Sequence, residues 1–245
     1  MKLITLNIWG GKVFDPLMDF FRKHAEDTDI FCLQEVFDNP PHIKSKVQHD
    51  KKQDIYKDIE KILVDFDGHM APTQEGEESL CMFINKKFGV HEIADTYVYR
   101  WKNAMEGNDP STYGINVQYA KSNKNGKDYM VCNLHGHWTP NFKGDNPARL
   151  EQSKNIKKFL DDFGGAKILC GDFNVAPDTE SMKILETSMR NLVKEYNVPT
   201  TRSHYYTKEH KFADYILVSP EIKVKKFEAL EDVVSDHLPL LLEFE

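Results

Sequence analysis

Several short polar interruptions of apolar runs carry the residue types that hydrolytic chemistry at phosphorus needs. Gln34-Glu35 ends a run that otherwise reads Ile30-Phe31-Cys32-Leu33, so a carboxylate stands where a buried strand meets a loop. Hard cations such as Mg²⁺ take carboxylate oxygens in such a place. A solvated strand-end Glu fits the same pattern. Cys170-Gly171-Asp172-Phe173-Asn174 follows a buried run with a glycine that permits a tight turn, then presents two short polar side chains two residues apart. An Asp there can accept a proton from water and an Asn amide can donate to a phosphoryl oxygen, although a plain Asp/Asn turn satisfies the segment too. Ser235-Asp236-His237-Leu238-Pro239 sets an acid beside a histidine just before a terminal apolar run. The charge of an imidazole changes near neutral pH, which suits phosphate contact or proton transfer. Asp214 interrupts Phe212-Ala213-Asp214-Tyr215-Ile216, and a carboxylate so placed needs a partner such as an imidazole N–H. His135 and His137 flank Gly136 after the run 130–134, and one is expected to face a site and the other solvent.

The elements that must position these groups follow from periodicity. Residues 3–9 read as a strand, Asp15-Pro16 as N-cap and first turn of a helix with an apolar face of Leu17, Phe20 and Phe21, and residues 30–34 as the returning strand of a βαβ unit. A helix is expected over 54–65, strands over 80–85, 91–99 and 112–120, and a hairpin turn at Asn125-Gly126 leading into 129–134. Helix 147–162, strand 167–169 and helix 178–186 come next, and the chain closes on strands 212–218, 223–230 and 238–244. Many strands, some joined by hairpins, with a few helices between them imply an α/β fold in which mixed sheets are covered by helices. Residues 1–245 show no linker or repeat and read as one domain.

Composition narrows the function classes. With 245 residues and 40% hydrophobic content the chain can bury a core, and no apolar run approaches the roughly 20 residues of a membrane span. Its first residues turn polar too soon for a secretory signal, so the cytoplasm is the expected compartment. Cys32, Cys81, Cys132 and Cys170 lie singly in apolar runs and read as buried thiols. The net charge of −7, with no basic stripe, argues against a grip on long duplex nucleic acid.

Taken in order, Thr5-Leu6-Asn7, Leu33-Gln34-Glu35, Asn133-Leu134-His135, Gly171-Asp172-Phe173-Asn174, Asp214-Tyr215-Ile216 and Ser235-Asp236-His237 resemble the motif series of the endonuclease/exonuclease/phosphatase superfamily. Six short motifs in the right order, spread from Asn7 to Pro239, are far more specific than any one alone. The resemblance implies a four-layer α/β sandwich, with two mixed β-sheets face to face and helices outside, and hydrolysis of phosphoester bonds with Mg²⁺ or Mn²⁺. Carried over by position, it implies metal ligation by Glu35 with Asn7 and Asp236 near the same ion. Asp172 would orient or deprotonate the attacking water, Asn174 and His135 would hold the scissile phosphate, and His237, oriented by Asp214, would stabilise phosphoryl oxygens. Arg149, followed by Gln152, resembles a family arginine and glutamine; a surface ion pair with Glu151 explains it equally well.

Some relatives carry an Asp two residues after the first-strand Asn; here Trp9 stands there, which puts a second tightly bound metal in doubt. Glu35-Val36-Phe37-Asp38-Asn39 departs from the repair endonucleases of abasic DNA and looks locally like neutral sphingomyelinases, while Lys211-Phe212-Ala213-Asp214-Tyr215 departs from the inositol polyphosphate 5-phosphatases. Trp101, Trp138, Phe142, Tyr205 and Tyr206 fall in expected loops, where they either stack on bases or an apolar substrate group or pack the loops themselves. The expected substrate is a phosphodiester in short or single-stranded DNA or RNA. A sphingomyelinase-like or small-molecule phosphatase is the alternative, and a non-catalytic binding module of the same fold is the competing class.

Overall fold

The computed structural model describes residues 1–38, 51–72, 78–101 and 112–245. In chain order the elements are β1 (Lys2–Asn7), α1 (Phe14–His24), β2 (Ile30–Val36), α2 (Ile55–Glu60), β3 (Phe66–Pro72), β4 (Ser79–Asn85), β5 (Val90–Tyr99), β6 (Ile115–Lys124) and β7 (Lys127–His135). After them come α3 (Pro147–Asp161), β8 (Ala166–Asp172), α4 (Glu180–Glu186), β9 (Arg190–Asn191), α5 (Leu192–Glu195), β10 (Asp214–Val218), β11 (Val224–Ala229) and β12 (Leu240–Phe244). They form two mixed six-stranded sheets, ordered β11-β12-β1-β2-β4-β3 and β5-β6-β7-β8-β10-β9.

Strands buried on both faces read as continuous apolar runs, and alternate residues then serve different cores. In β2, Ile30 and Cys32 pack into the core shared by the two sheets with Val131, Leu169 and Ile216, whereas Phe31 and Leu33 pack with Leu17, Phe20 and Phe21 of α1 and Ile55 and Ile59 of α2. Ile156 and Leu160 of α3 and Met182 and Leu185 of α4 cover the second sheet. The result is the expected helix–sheet–sheet–helix sandwich. β1 and β2 pair in parallel, Leu3 opposite Ile30, with α1 as the crossover. The β6–β7 hairpin turns through Asn125 and Gly126, both at positive φ (54° and 78°), as a two-residue loop of that type requires.

Some elements differ from the expectation. β1 ends at Asn7 rather than at residue 9, because Trp9–Gly11 curl into a 3-10 turn entered through positive φ at Trp9 (52°). The sequence reading missed β3, whose Asp67, Gly68 and His69 dilute the apolar signal of an edge strand, and also the short β9 and α5. The helix over 54–65 closes after Glu60. The four cysteines are buried free thiols. Among the described residues no helix is long and apolar enough to cross a membrane.

A polar seam crosses the otherwise apolar interface between the sheets. Gln34 Nε2 donates to Asn133 Oδ1 (2.7 Å), and Asn133 Nδ2 donates to the Leu33 carbonyl (3.0 Å). Buried amides are expensive unless paired in this way. The pairing pins the end of β2 to the end of β7, the two strands that carry Glu35 and His135.

Candidate active site

One end of the sandwich gathers the polar interruptions. β7 and β8 run parallel with His135 opposite Asp172, and β10 runs antiparallel to β8 with Asp214 opposite Asp172, so three of these side chains stand in one row across the second sheet. Asn7 and Gln34 are paired at the corresponding end of the first sheet. The turn after β8 depends on Gly171, at φ +128°, because a Cβ there would lie 2.1 Å from the Leu134 carbonyl oxygen. Together these strand ends floor a cleft of about 300 Å³ lined by Glu35, His135, Asp172, Asn174, Asp236 and His237 and rimmed by Trp9, Trp138, Tyr205 and Tyr206.

Glu35 is aimed by its backbone. The β2–β4 register slips between Leu33 and Val36, and Glu35 adopts φ +58°, a left-handed conformation that non-glycine residues hold only where the surroundings enforce it. Its Oε1 accepts from Asn7 Nδ2 (3.1 Å) and its Oε2 from Lys51 Nζ (3.0 Å). Burial pushes the Glu35 carboxyl up, but Lys51, His135 and the Asn7 amide outweigh it and hold the group below its ordinary range. Glu78, which shares Lys51 at 3.2 Å, is instead raised by burial and by the charge of Glu35.

Asn7 stands between the two carboxylates. Its Oδ1 accepts from the Trp9 backbone N–H (2.9 Å), which fixes the orientation of the amide because that N–H can only donate. The Nδ2 group therefore faces Glu35 and Asp172 Oδ2 (3.2 Å) and ties the two carboxylates together.

Asp172 is buried with its oxygens well defined. Oδ1 accepts from the Asn174 backbone N–H (2.8 Å), while Oδ2 faces His237 Nε2 at 3.7 Å and His135 Nε2 at 3.8 Å. Burial raises this carboxyl, yet His237, Lys143, His135 and Arg202 together pull it far below the usual carboxylate range. His237 Nδ1 lies 2.8 Å from both oxygens of Asp214. Burial and Arg202 lower the imidazole pKa, but Asp214, Asp236 and Asp172 leave it raised overall. Asp236 is itself raised by burial, against the pull of His237 and Arg202.

Asn174, also left-handed at φ +57°, is held at both ends of its amide. Lys143 Nζ donates to Oδ1 and Nδ2 donates to the Gly136 carbonyl (3.0 Å). An ammonium can only donate and a carbonyl can only accept, so one amide N–H is left for the cleft.

Other expected positions fall elsewhere. Arg149 is fully buried away from the cleft, where its guanidinium donates to the carbonyls of His137 (3.1 Å), Phe142 (3.0 Å) and Gly144 (2.5 Å). It shapes the loop 137–144 from behind and neither contacts the cleft nor pairs with Glu151. His137 does not face solvent: it is buried, stacked on Tyr113 at 5.6 Å and 7°. Trp101 and Phe142 are exposed and outside the cleft lining, whereas Trp138 is part of it. Asn39 of the segment 35–39 lies outside the described residues.

The sequence reading missed Lys143 and Arg202, both buried in the cleft wall. Arg202 Nη1 contacts His237 Nε2 and Asp236 Oδ2 (3.3 Å), and its guanidinium lies 4.1 Å from the centre of the Tyr206 ring. Each sits in a loop among ordinary polar residues, Asn141-Phe142-Lys143-Gly144 and Thr200-Thr201-Arg202-Ser203, where no periodicity marks a buried cation.

The donor set suits a hard divalent cation. Ligand atoms of Glu35, Glu78 and His135 lie within 4.8 Å of one another, as do those of Asp172, Asp214 and His237. Carboxylate oxygens dominate both groups, and no thiol competes. Glu78 was not foreseen as a neighbour of Glu35, and Asp236 belongs to neither group.

Comparison with known proteins places this geometry. The model of the Endonuclease/Exonuclease/phosphatase family matches residues 4–237. No curated protein sequence matches significantly. Among solved structures, an endonuclease/exonuclease/phosphatase from Bacteroides vulgatus is 20% identical with a TM-score of 0.73, over 100% of this chain and 98% of that one. The mannosyl-6-phosphatase Bt3783 of Bacteroides thetaiotaomicron is 18% identical with a TM-score of 0.76, over 100% and 99%. The human nocturnin catalytic domain, solved with a sulfate anion, is 17% identical with a TM-score of 0.68, over 100% and 94%. At such identities these likenesses show the fold alone.

Proposed function

The chain belongs to the endonuclease/exonuclease/phosphatase family, and from that premise we propose that it is a divalent-metal-dependent phosphoester hydrolase acting on short or single-stranded nucleic acid. The observation that carries the reading is the convergence, at one end of the two sheets, of Glu35 with Asp172, Asn174 and the Asp214–His237 pair.

Glu35, with Asp236 near it and Glu78 within reach, would hold Mg²⁺ or Mn²⁺. Such an ion supplies charge neutralisation at the phosphoryl oxygens. The chain's own groups do the rest. Asp172, kept ionised by its cationic neighbours, orients the attacking water and takes up its proton. The free N–H of Asn174 and the imidazole of His135 hold phosphoryl oxygens, and Asp214 fixes the His237 ring so that Nε2 faces the same group. Water attacks phosphorus, the ester P–O bond breaks, and the proton ends on the departing alcohol.

Trp9, Trp138, Tyr205 and Tyr206 line the cleft, where ring faces can take unstacked bases, which favours a nucleic-acid substrate. The narrow cleft and the net charge of −7 favour a short or single strand over a long duplex. In the first reading the bond is a phosphodiester. The second, hydrolysis of a terminal phosphate, is favoured by the two buried cations Lys143 and Arg202.

The test is a screen of the purified protein with Mg²⁺ or Mn²⁺ against single- and double-stranded DNA, RNA, abasic DNA, sphingomyelin and phosphomonoesters. Metal-dependent release of nucleotides or phosphate from nucleic acid is expected. Hydrolysis of sphingomyelin with no action on any nucleic acid would replace the assignment, and no hydrolysis of any substrate would leave a binding module.

A further inference from the structure

Two buried cations line the cleft with donors the protein itself does not use. Lys143 is 5% exposed; its ammonium donates to Asn174 Oδ1, and among the described residues no carboxylate pairs with it. Two of its three N–H bonds remain. Arg202 is 8% exposed; Nη1 is engaged by His237 and Asp236, while Nε is buried and has no partner. A buried charge costs stability unless it is paired, and a buried N–H without an acceptor adds to the cost. Both cations are nevertheless kept, in contact with Asn174 and His237 and lining the same cleft as Glu35.

The charge of the substrate explains that arrangement. An internal phosphodiester carries one negative charge on two non-bridging oxygens, whereas a terminal phosphate carries about −1.5 to −2 on three near neutral pH. A metal at Glu35 with the Asn174 amide and the His237 imidazole already serves two oxygens. Lys143 and Arg202 add two fixed charges and the spare donors that a third, anionic oxygen needs.

Resting on the phosphoester-hydrolase reading above, we propose that Lys143 and Arg202 form an anion-binding wall that selects a dianionic terminal phosphate. The substrate is then the phosphorylated end of the second reading, of an oligonucleotide, a nucleotide or another small phosphate ester, and not the internal phosphodiester of the first. Hydrolysis adds water across the P–O bond and yields inorganic phosphate and the free alcohol.

Two measurements test this. The first is calorimetric binding of inorganic phosphate, in chelator, to the parent, Lys143→Met, Arg202→Met and the conservative Lys143→Arg and Arg202→Lys, all checked for folding by circular dichroism. The parent should bind phosphate, each methionine variant should lose about tenfold to a hundredfold in affinity, and the conservative variants should regain part of it. The second compares kcat/KM for p-nitrophenyl phosphate and bis(p-nitrophenyl) phosphate with Mn²⁺. The parent should prefer the monoester, and the methionine variants should lose that preference by about the same factor. A parent that binds no phosphate, unchanged affinity in the folded methionine variants, or preference for the diester would overturn the proposal. Phosphate binding that depends on both cations in a protein that hydrolyses nothing would uphold the anion site and end the hydrolase reading.

Discussion

The two walls of the cleft are built with opposite charge. The wall that rises from β2 and β4 is acidic, with Glu35 and Glu78 around the single ammonium of Lys51, and its polar atoms are carboxylate oxygens. The other wall, built from the ends of β7, β8 and β10 and from the loops that carry Lys143, Arg202 and His237, holds Asp172 inside a ring of cations and donors, His237, Lys143, His135 and Arg202. The carboxyls respond accordingly: Glu78 on the acidic side is raised by desolvation and its like-charged neighbour, while Asp172, more deeply buried, is driven down. Burial alone would raise Asp172 the more of the two, so the neighbours decide the sign. On the proposed reading the first wall would hold the cation and the second the anionic substrate, the division that phosphoester hydrolysis needs.

The comparison breaks most visibly at Asp172 and Asn174. Asp172→Asn and Asn174→Ala should each lower turnover by about 10²–10⁴-fold while circular dichroism and melting temperature stay near the parent. Folded variants that keep nearly full activity would move the chemistry off the second wall. One step further from the reacting atoms, Asp214→Asn should cost about 10–100-fold, because His237 keeps its place but exchanges an acceptor-only carboxylate for an amide that can donate as well, and its tautomer is no longer fixed. A rate loss there as large as for Asp172→Asn would make Asp214 a direct participant.

The smallest effect on turnover belongs behind the walls. Arg149→Met leaves three carbonyls of the loop 137–144 without their donor and should cost about 2–4 kcal/mol in denaturant unfolding, with a smaller loss of turnover in the folded protein than either wall variant gives. A rate loss exceeding the stability loss would place the guanidinium in contact with substrate after all.

These contrasts also show which features the sequence makes legible. β2, β7, β8 and β10 could be read because apolar runs end abruptly near Glu35, His135 and Asp172 or open at Asp214, and a carboxylate or imidazole at such a boundary stands out by period and polarity alone. β3 could not, since an edge strand with Asp67, Gly68 and His69 lacks the alternation that a buried face imposes. Lys143 and Arg202 were invisible for a different reason. A lysine and an arginine in polar loops are nearly always solvated, and only the tertiary packing, with Tyr206 against Arg202 and Asn174 against Lys143, buries these two. Arg149 misled in the opposite sense: its helix, α3, begins where expected, but Asn146 caps it so that the guanidinium turns into the loop rather than out to the cleft.

The central claim is that the acidic wall holds the divalent ion that the reaction requires. A Mn²⁺ binding titration on the parent and Glu35→Gln, run beside turnover in chelator and in added metal, tests it most directly. Turnover that vanishes in chelator and returns with Mn²⁺, and a Glu35→Gln protein that stays folded while binding Mn²⁺ at least about tenfold more weakly, are the predicted results. Undiminished turnover in excess chelator, or equal Mn²⁺ affinity in the two proteins, would contradict it.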